Sequence, residues 1–371
     1  MFREGARDAL HGLPLYGAHF GSTLAVALPF LYPPAAALFL TPLQTVSPTV
    51  MKWVWELLCV GEVLLVVAYS FRGLRDRSGP AWPIVVSVVS AIMLWTTPVH
   101  DLLGFGQIDL LLMSLVIVDL VAQPRWCPRG VLVGIAAAVK LVPGIFLLFF
   151  LINKDWRSAR NFVAGFGGAT LLTFAILPSD SNAYWFHYLL HTARASFLLY
   201  FSNQSLDGML RRVIGGNTYL AVWVPAAALT LGMGMWKARR AERSGNRLTA
   251  VALVGVVGLI LSPISWVHEL VWIIPMIGVI VGNGRNRRRL ALAAVLTVGF
   301  IVHVPYMGND LLIGHGSRFL GNLLEDVYGL VLVALVVTGS WWWDLDAPGD
   351  TSLAIRQESG ELSREPATSR A

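Results

Sequence analysis

Charge is scarce in this sequence. Asp, Glu, Lys and Arg make up 13% of the 371 residues, against about 25% in a soluble domain. A water-soluble globule is thereby excluded. Cysteine is scarcer still: Cys59 lies in an apolar run and Cys127 in a basic loop, with neither metal-binding spacing nor a disulfide framework. No P-loop, Gly-x-Ser-x-Gly or zinc-ligand spacing occurs. No metal and no cofactor is expected.

What is present is apolar. Hydrophobic residues reach 56%, and the mean hydropathy is +0.63. Runs of about 20 apolar residues read as transmembrane helices; they fall at 50–71, 80–98, 102–122, 161–177, 218–236, 290–306 and 327–343. A net charge of +6 raises the question of a nucleic-acid partner. It is set aside, because the basic residues sit in short clusters between apolar runs, as the positive-inside rule arranges them. One set of loops (72–77, 125–129, 154–160, 237–247 and 285–289) holds 17 Lys and Arg residues, and the opposite set holds 6. The richer set is assigned to the cytoplasm.

That assignment puts both ends of 130–152 on one side. The stretch is therefore expected to be a re-entrant pair of half-helices turning at Lys140 and Pro143. Both ends of 248–282 also fall on one side, giving a hairpin with Ser265-Trp266-Val267-His268-Glu269 at its outer tip. Irregular backbone at membrane depth is tolerated where it lines a cavity or is buried in protein. The expected fold is all-α and polytopic, with about 9–11 membrane segments. Residues 1–49 form an outer segment, 1–343 one membrane domain and 344–371 a polar, disordered tail. By the same assignment Met1 begins outside, so a first helix is expected upstream of it.

Ionisable groups at membrane depth are expensive and mark function by default. Lys140 stands about ten residues from either end of its run, which makes snorkelling difficult. Gly104-Phe-Gly-Gln107-Ile-Asp109 opens a membrane helix, where Gln107 and Asp109 are placed to bond a sugar or orient a cation, or simply to cap the helix. In the 265–269 tip, His268 is suited to phosphate or protons and Trp266 to a sugar face. Asn203 and Gln204 in the long outer loop are suited to hydroxyls, and Arg211-Arg212 to phosphate, although a solvated loop would read the same. Residues 183–201 read as an interfacial helix. His100-Asp101 is weak as a motif, and Glu56, Glu62 and Asp119 read as structural.

Five stretches taken together resemble one family: Leu28-Pro-Phe-Leu-Tyr-Pro-Pro-Ala35, Gly106-Gln-Ile-Asp-Leu-Leu-Leu-Met113, Gly134-Ile-Ala-Ala-Ala-Val-Lys-Leu-Val-Pro143, Ser202-Asn-Gln-Ser205 with Arg211-Arg212, and Leu261-Ser-Pro-Ile-Ser-Trp-Val-His268. They resemble glycosyltransferase family 87, the polyprenyl-phosphate-mannose-dependent α-1,2-mannosyltransferases of mycobacteria and related actinobacteria. The resemblance implies GT-C architecture, a plasma-membrane enzyme with an outward-facing site, and a mannolipid or lipoglycan acceptor. It implies inverting transfer, with a carboxylate base and cations on the departing phosphate. On this reading Lys140, His268, Arg211 and Arg212 take the donor phosphate, and Gln107, Asp109, Asn203, Gln204, Trp266 and Glu269 the sugar and acceptor. The family's base Asp is expected upstream of Met1, so no catalytic residue is assigned; Glu4, Asp8 and Asp101 are weak substitutes. Two departures stand inside the motifs: the family's usual Asn is Asp109 here, and its His-His is His268-Glu269. The rival readings are a lipid-carrier flippase and a catalytically inactive, truncated homologue.

Overall fold

The computed structural model describes residues 2–16, 19–20, 28–189, 198–214 and 218–339. The expected tail at 344–371, the last residues of the 327–343 span and the middle of the 183–201 helix lie outside these.

The described chain is almost wholly helical; its one ladder pairs His19-Phe20 with Leu28-Pro29. Two helical stretches, 72–94 and Thr218–Arg243, are long and apolar enough to cross a membrane, and bent pairs counted as single spans bring the number to five. Large apolar side chains such as Leu57, Ile84, Leu171 and Val295 stay exposed along the helices. Exposed Leu and Val at this density suit a lipid solvent, and the chain is an integral membrane protein of the all-α, polytopic class.

The expected 130–152 hairpin is present. Val131–Val139 ends where Lys140 takes an extended conformation, Pro143 follows in a short 3-10 turn, and Ile145–Ile152 runs on as a second helix. Its two ends meet: Arg129 donates to Asp155 Oδ2 at 3.0 Å. The 248–282 hairpin is present too, as Arg247–Leu261 and Ile273–Val281 around a six-residue 3-10 segment, Val267–Trp272. Gly282 at its far end abuts Gly73, and Arg247 at its near end lies close to Arg72.

Two expected spans need correction. The 290–306 run bends by 45° between Arg287–Ile301 and Val304–Ile313. The 102–122 run is not a straight helix. Thr97–Phe105 ends at Gly106, and the chain turns by 119° before Asp109–Ile117 begins. Gly106 adopts φ +61°, the left-handed C-terminal cap that glycine supplies without a Cβ penalty. Two loop cations also stand elsewhere than expected. Lys237 is buried and donates to the carbonyls of Val336 and Val337 at 2.6 and 2.8 Å, closing the end of Val327–Thr338. Arg289 closes Ile273–Val281 in the same way, through Ile280 O at 2.7 Å. Cations at helix C-termini satisfy carbonyls that have no intrahelical partner.

The outer segment is structured. Phe2–His11 and Pro34–Phe39 pack with Tyr16, Phe30 and Tyr32 against Ile108, Leu112, Ala136 and Val139. Of the interfacial helix expected at 183–201, residues 183–189 are seen in helix, where Pro178–Ala183 continues into Tyr184–Tyr188.

Candidate functional site

Three breaks in membrane helices converge: the bend at 106–108, the interruption at Lys140 and the tip at 266–269. Lys140 Nζ donates to Asp109 Oδ1 at 2.6 Å and to Glu269 Oε1 at 2.8 Å. Its ammonium also stands 5.4 Å from the centre of the Tyr32 ring. All three charged side chains are buried, Glu269 to 3% exposure. Local backbone assists two of them. Lys140 follows the C-terminus of Val131–Val139, and Asp109 opens Asp109–Ile117, so each charge faces the favourable end of a helix dipole.

The cluster is unsaturated. Asp109 Oδ2, Glu269 Oε2 and His268 Nε2 are buried and have no hydrogen-bond partner. His268 Nε2 and Asp109 Oδ2 lie 4.0 Å apart, too far for a direct bond, yet close enough for one hydroxyl to reach both. Such an orphan atom costs roughly 1–3 kcal/mol, and three in one place point to a polar ligand. A cavity lies beside Asp109 and Lys140, lined also by Phe146, Leu259 and Trp272. It offers about 20 Å³ to the centre of a water molecule, enough for about one.

Tyr32 was not singled out from sequence. Its hydroxyl donates to Gln107 Oε1 at 3.0 Å, which leaves the Gln107 amide N–H groups free to face a ligand. The only sign of it was its place in the Leu28–Ala35 stretch. Phe105 closes over His268, edge to face at 5.9 Å.

Other expected site residues are placed differently. Asn203 and Gln204 are buried and spend their amides on backbone. Asn203 accepts from Ser205 N and Ser265 N and donates to Leu198 O and Pro263 O. Gln204 donates to Phe201 O and Glu325 O and accepts from Gly329 N. Expected as sugar ligands, they instead fasten the 265–269 tip to the outer loops in this structure, with an Asn203–Trp266 bridge between the two strands of chain. Arg212 is buried and paired with Asp326, with Glu325 at 3.9 Å. Its guanidinium, expected to take the donor phosphate, is taken up by these acids and by the carbonyls of Tyr200 and Asn203. Arg211 donates to Asp207 Oδ2 at 2.8 Å and lies over the Tyr219 ring, but is 39% exposed and reaches the surface. Trp266 is half-buried, with its ring edge to face with Tyr200 at 5.9 Å. Asp101 accepts from Tyr306 OH at 2.6 Å beside His100, apart from the Lys140 cluster. Among the described residues, no group of three or more His, Cys, Asp or Glu side chains is placed to hold a metal ion.

Converging broken helices around a buried, unsaturated polar cluster define an integral-membrane protein with a ligand site at membrane depth. Comparison with known proteins gives that class its family. Residues 30–263 match glycosyltransferase family 87. The chain is 36% identical over 329 residues to a polyprenol-phosphate-mannose-dependent α-(1-2)-phosphatidylinositol mannoside mannosyltransferase of Mycobacterium tuberculosis, covering 85% of this chain and 77% of that protein. The Mycolicibacterium smegmatis protein of the same description is 32% identical, with 82% and 74% covered. A phosphatidylinositol pentamannoside mannosyltransferase of M. tuberculosis is 30% identical, with 92% and 79% covered. No solved structure matches. The chain belongs to glycosyltransferase family 87 and is a membrane glycosyltransferase.

Proposed function

We propose that this enzyme moves mannose from polyprenyl-phosphate-mannose to a phosphatidylinositol mannoside, inverting the anomeric centre to give an α-1,2 link. The observation that carries the donor is that relatives with two different acceptors, a phosphatidylinositol mannoside and its pentamannoside, share it by name. The simpler mannoside is favoured as acceptor by the higher identity, 36% against 30%. The unsaturated cluster of Asp109, His268 and Glu269, with Gln107 beside it, is the sugar-binding floor. Hydroxyls supply the hydrogen-bond donors that its orphan oxygens lack. The surface Arg211 is the candidate for the lipid phosphate side. The site opens to the face away from the Lys- and Arg-rich loops, which in a plasma membrane is the outer face.

The test is transfer by the purified chain in nanodiscs from radiolabelled polyprenyl-phosphate-mannose to a phosphatidylinositol mannoside. The expected product carries one further mannose, released by α-mannosidase. Donor binding without any transfer would sink the reading in favour of an inactive homologue. Movement of the donor across vesicles without transfer would favour the flippase.

A further inference from the structure

Lys140 is the one buried cation of the cluster, and its position invites a phosphate. Its surroundings do not. The ammonium is enclosed by Asp109 Oδ1, Glu269 Oε1 and the Tyr32 ring. One cation facing two carboxylates carries no net positive charge, so an approaching phosphate meets no attraction there. Each carboxylate spends one oxygen on Lys140, and the other, Asp109 Oδ2 or Glu269 Oε2, is buried without a partner.

We infer that Lys140 is here a positioning residue, which holds Asp109 and Glu269 so that their second oxygens receive hydroxyl hydrogens of the transferred sugar. The phosphate is bound elsewhere. A carboxylate anchored at one oxygen presents the other as a fixed, acceptor-only group, and hydroxyl-to-carboxylate bonds are strong and directional. His268 Nε2, 4.0 Å from Asp109 Oδ2, completes a floor that reads hydroxyls. The inference rests on the transferase reading and goes beyond it by separating sugar contacts from phosphate contacts.

Two probes separate them: polyprenyl-phosphate-mannose, read as donor KM, and polyprenyl phosphate, which keeps the phosphate and lacks the sugar, read as an inhibition constant. Asp109→Asn and Glu269→Gln should each raise the donor KM about tenfold or more, the worth of one charged hydrogen bond, and leave polyprenyl phosphate inhibition within about twofold of wild type. The neutral triple variant K140M/D109N/E269Q should keep wild-type inhibition by polyprenyl phosphate without recovering donor KM. Weaker inhibition in the triple variant, or unchanged donor KM in both single variants, overturns the inference. If Lys140 variants do not fold, D109N and E269Q, each of which keeps one pair with Lys140, decide it. A wild-type chain that neither binds the donor nor transfers mannose would defeat the transferase reading instead.

Discussion

Asn203 uses every polar capacity of its amide, two donated and two accepted bonds, all with backbone. Asn203→Ala leaves those groups buried and unpaired, and a loss of roughly 3 kcal/mol of stability is expected. Arg212→Ala strands Asp326 and Glu325 in a buried setting, a change that typically costs about 3–5 kcal/mol. Arg212→Lys should recover only part of this, because a lysine cannot supply the guanidinium fork that also reaches Tyr200 O and Asn203 O. Melting of the detergent-solubilised variants checks both; a wild-type melt for either would return these residues to the ligand-binding set. Cys127 adds a pH dependence. Burial, with Asp119 nearby, pushes its thiol above the ordinary value. The thiolate fraction is then small at neutral pH, so maleimide labelling should be slow at about pH 7 and rise about tenfold per unit until the pKa is passed. A rate that levels off near the ordinary thiol range contradicts this.

Among the elements, the two hairpins are held differently. The Lys140 hairpin crosses Trp156–Ile176 at close range because Gly134 has no Cβ: one built there would lie 2.8 Å from Phe166 N. Gly134→Leu forces the backbones apart, and a loss of about 1–3 kcal/mol or more is expected, with Gly134→Ala milder. Size-exclusion profile and melting temperature are the readouts, and a leucine variant as stable as the parent would show that the crossing is not tight. The second hairpin is held through its tip by hydrogen bonds: Gln204 N to Ser265 O at 2.7 Å and Ser265 Oγ to Leu259 O at 2.7 Å. Function is built on the breaks of both elements, because an unwound segment exposes backbone and re-aims side chains where a continuous helix cannot.

At the scale of the molecule, the loops sort onto two faces. Arg129 ties 129 to Asp155 and Glu242, Arg77 bonds Gly284 O, and Arg72 lies by Arg247. On the other face Tyr306 bonds Asp101, Gln204 reaches Glu325 O and Arg212 pairs with Asp326. The charge count sorted the same loops into the same two sets. We propose that the first face is cytoplasmic. An impermeant maleimide should label Cys127 only in inverted vesicles, and Ser317→Cys only in intact cells; Cys59 is buried and should stay silent. The reverse pattern would turn the molecule over, and the donor would then have to lie in the inner leaflet.

Sequence alone determined the solvent, the class and the positions of two of the three helix breaks. Apolar length and charge bias are local properties, and Lys140 and the 265–269 tip interrupt apolar runs visibly. The third break was misread as part of a span, because Gly104 and Gly106 cost little in an apolar run and their left-handed use shows only in the fold. Motifs also placed Lys140, Asp109, His268 and Glu269 among the candidates. They could not say that the lysine and the two carboxylates meet, or that Asn203, Gln204 and Arg212 face backbone and buried acids while Tyr32 faces the site. A residue type states how many hydrogen bonds it can make. Which groups receive them is set by the packing of helices far apart in sequence, and only tertiary structure decides that.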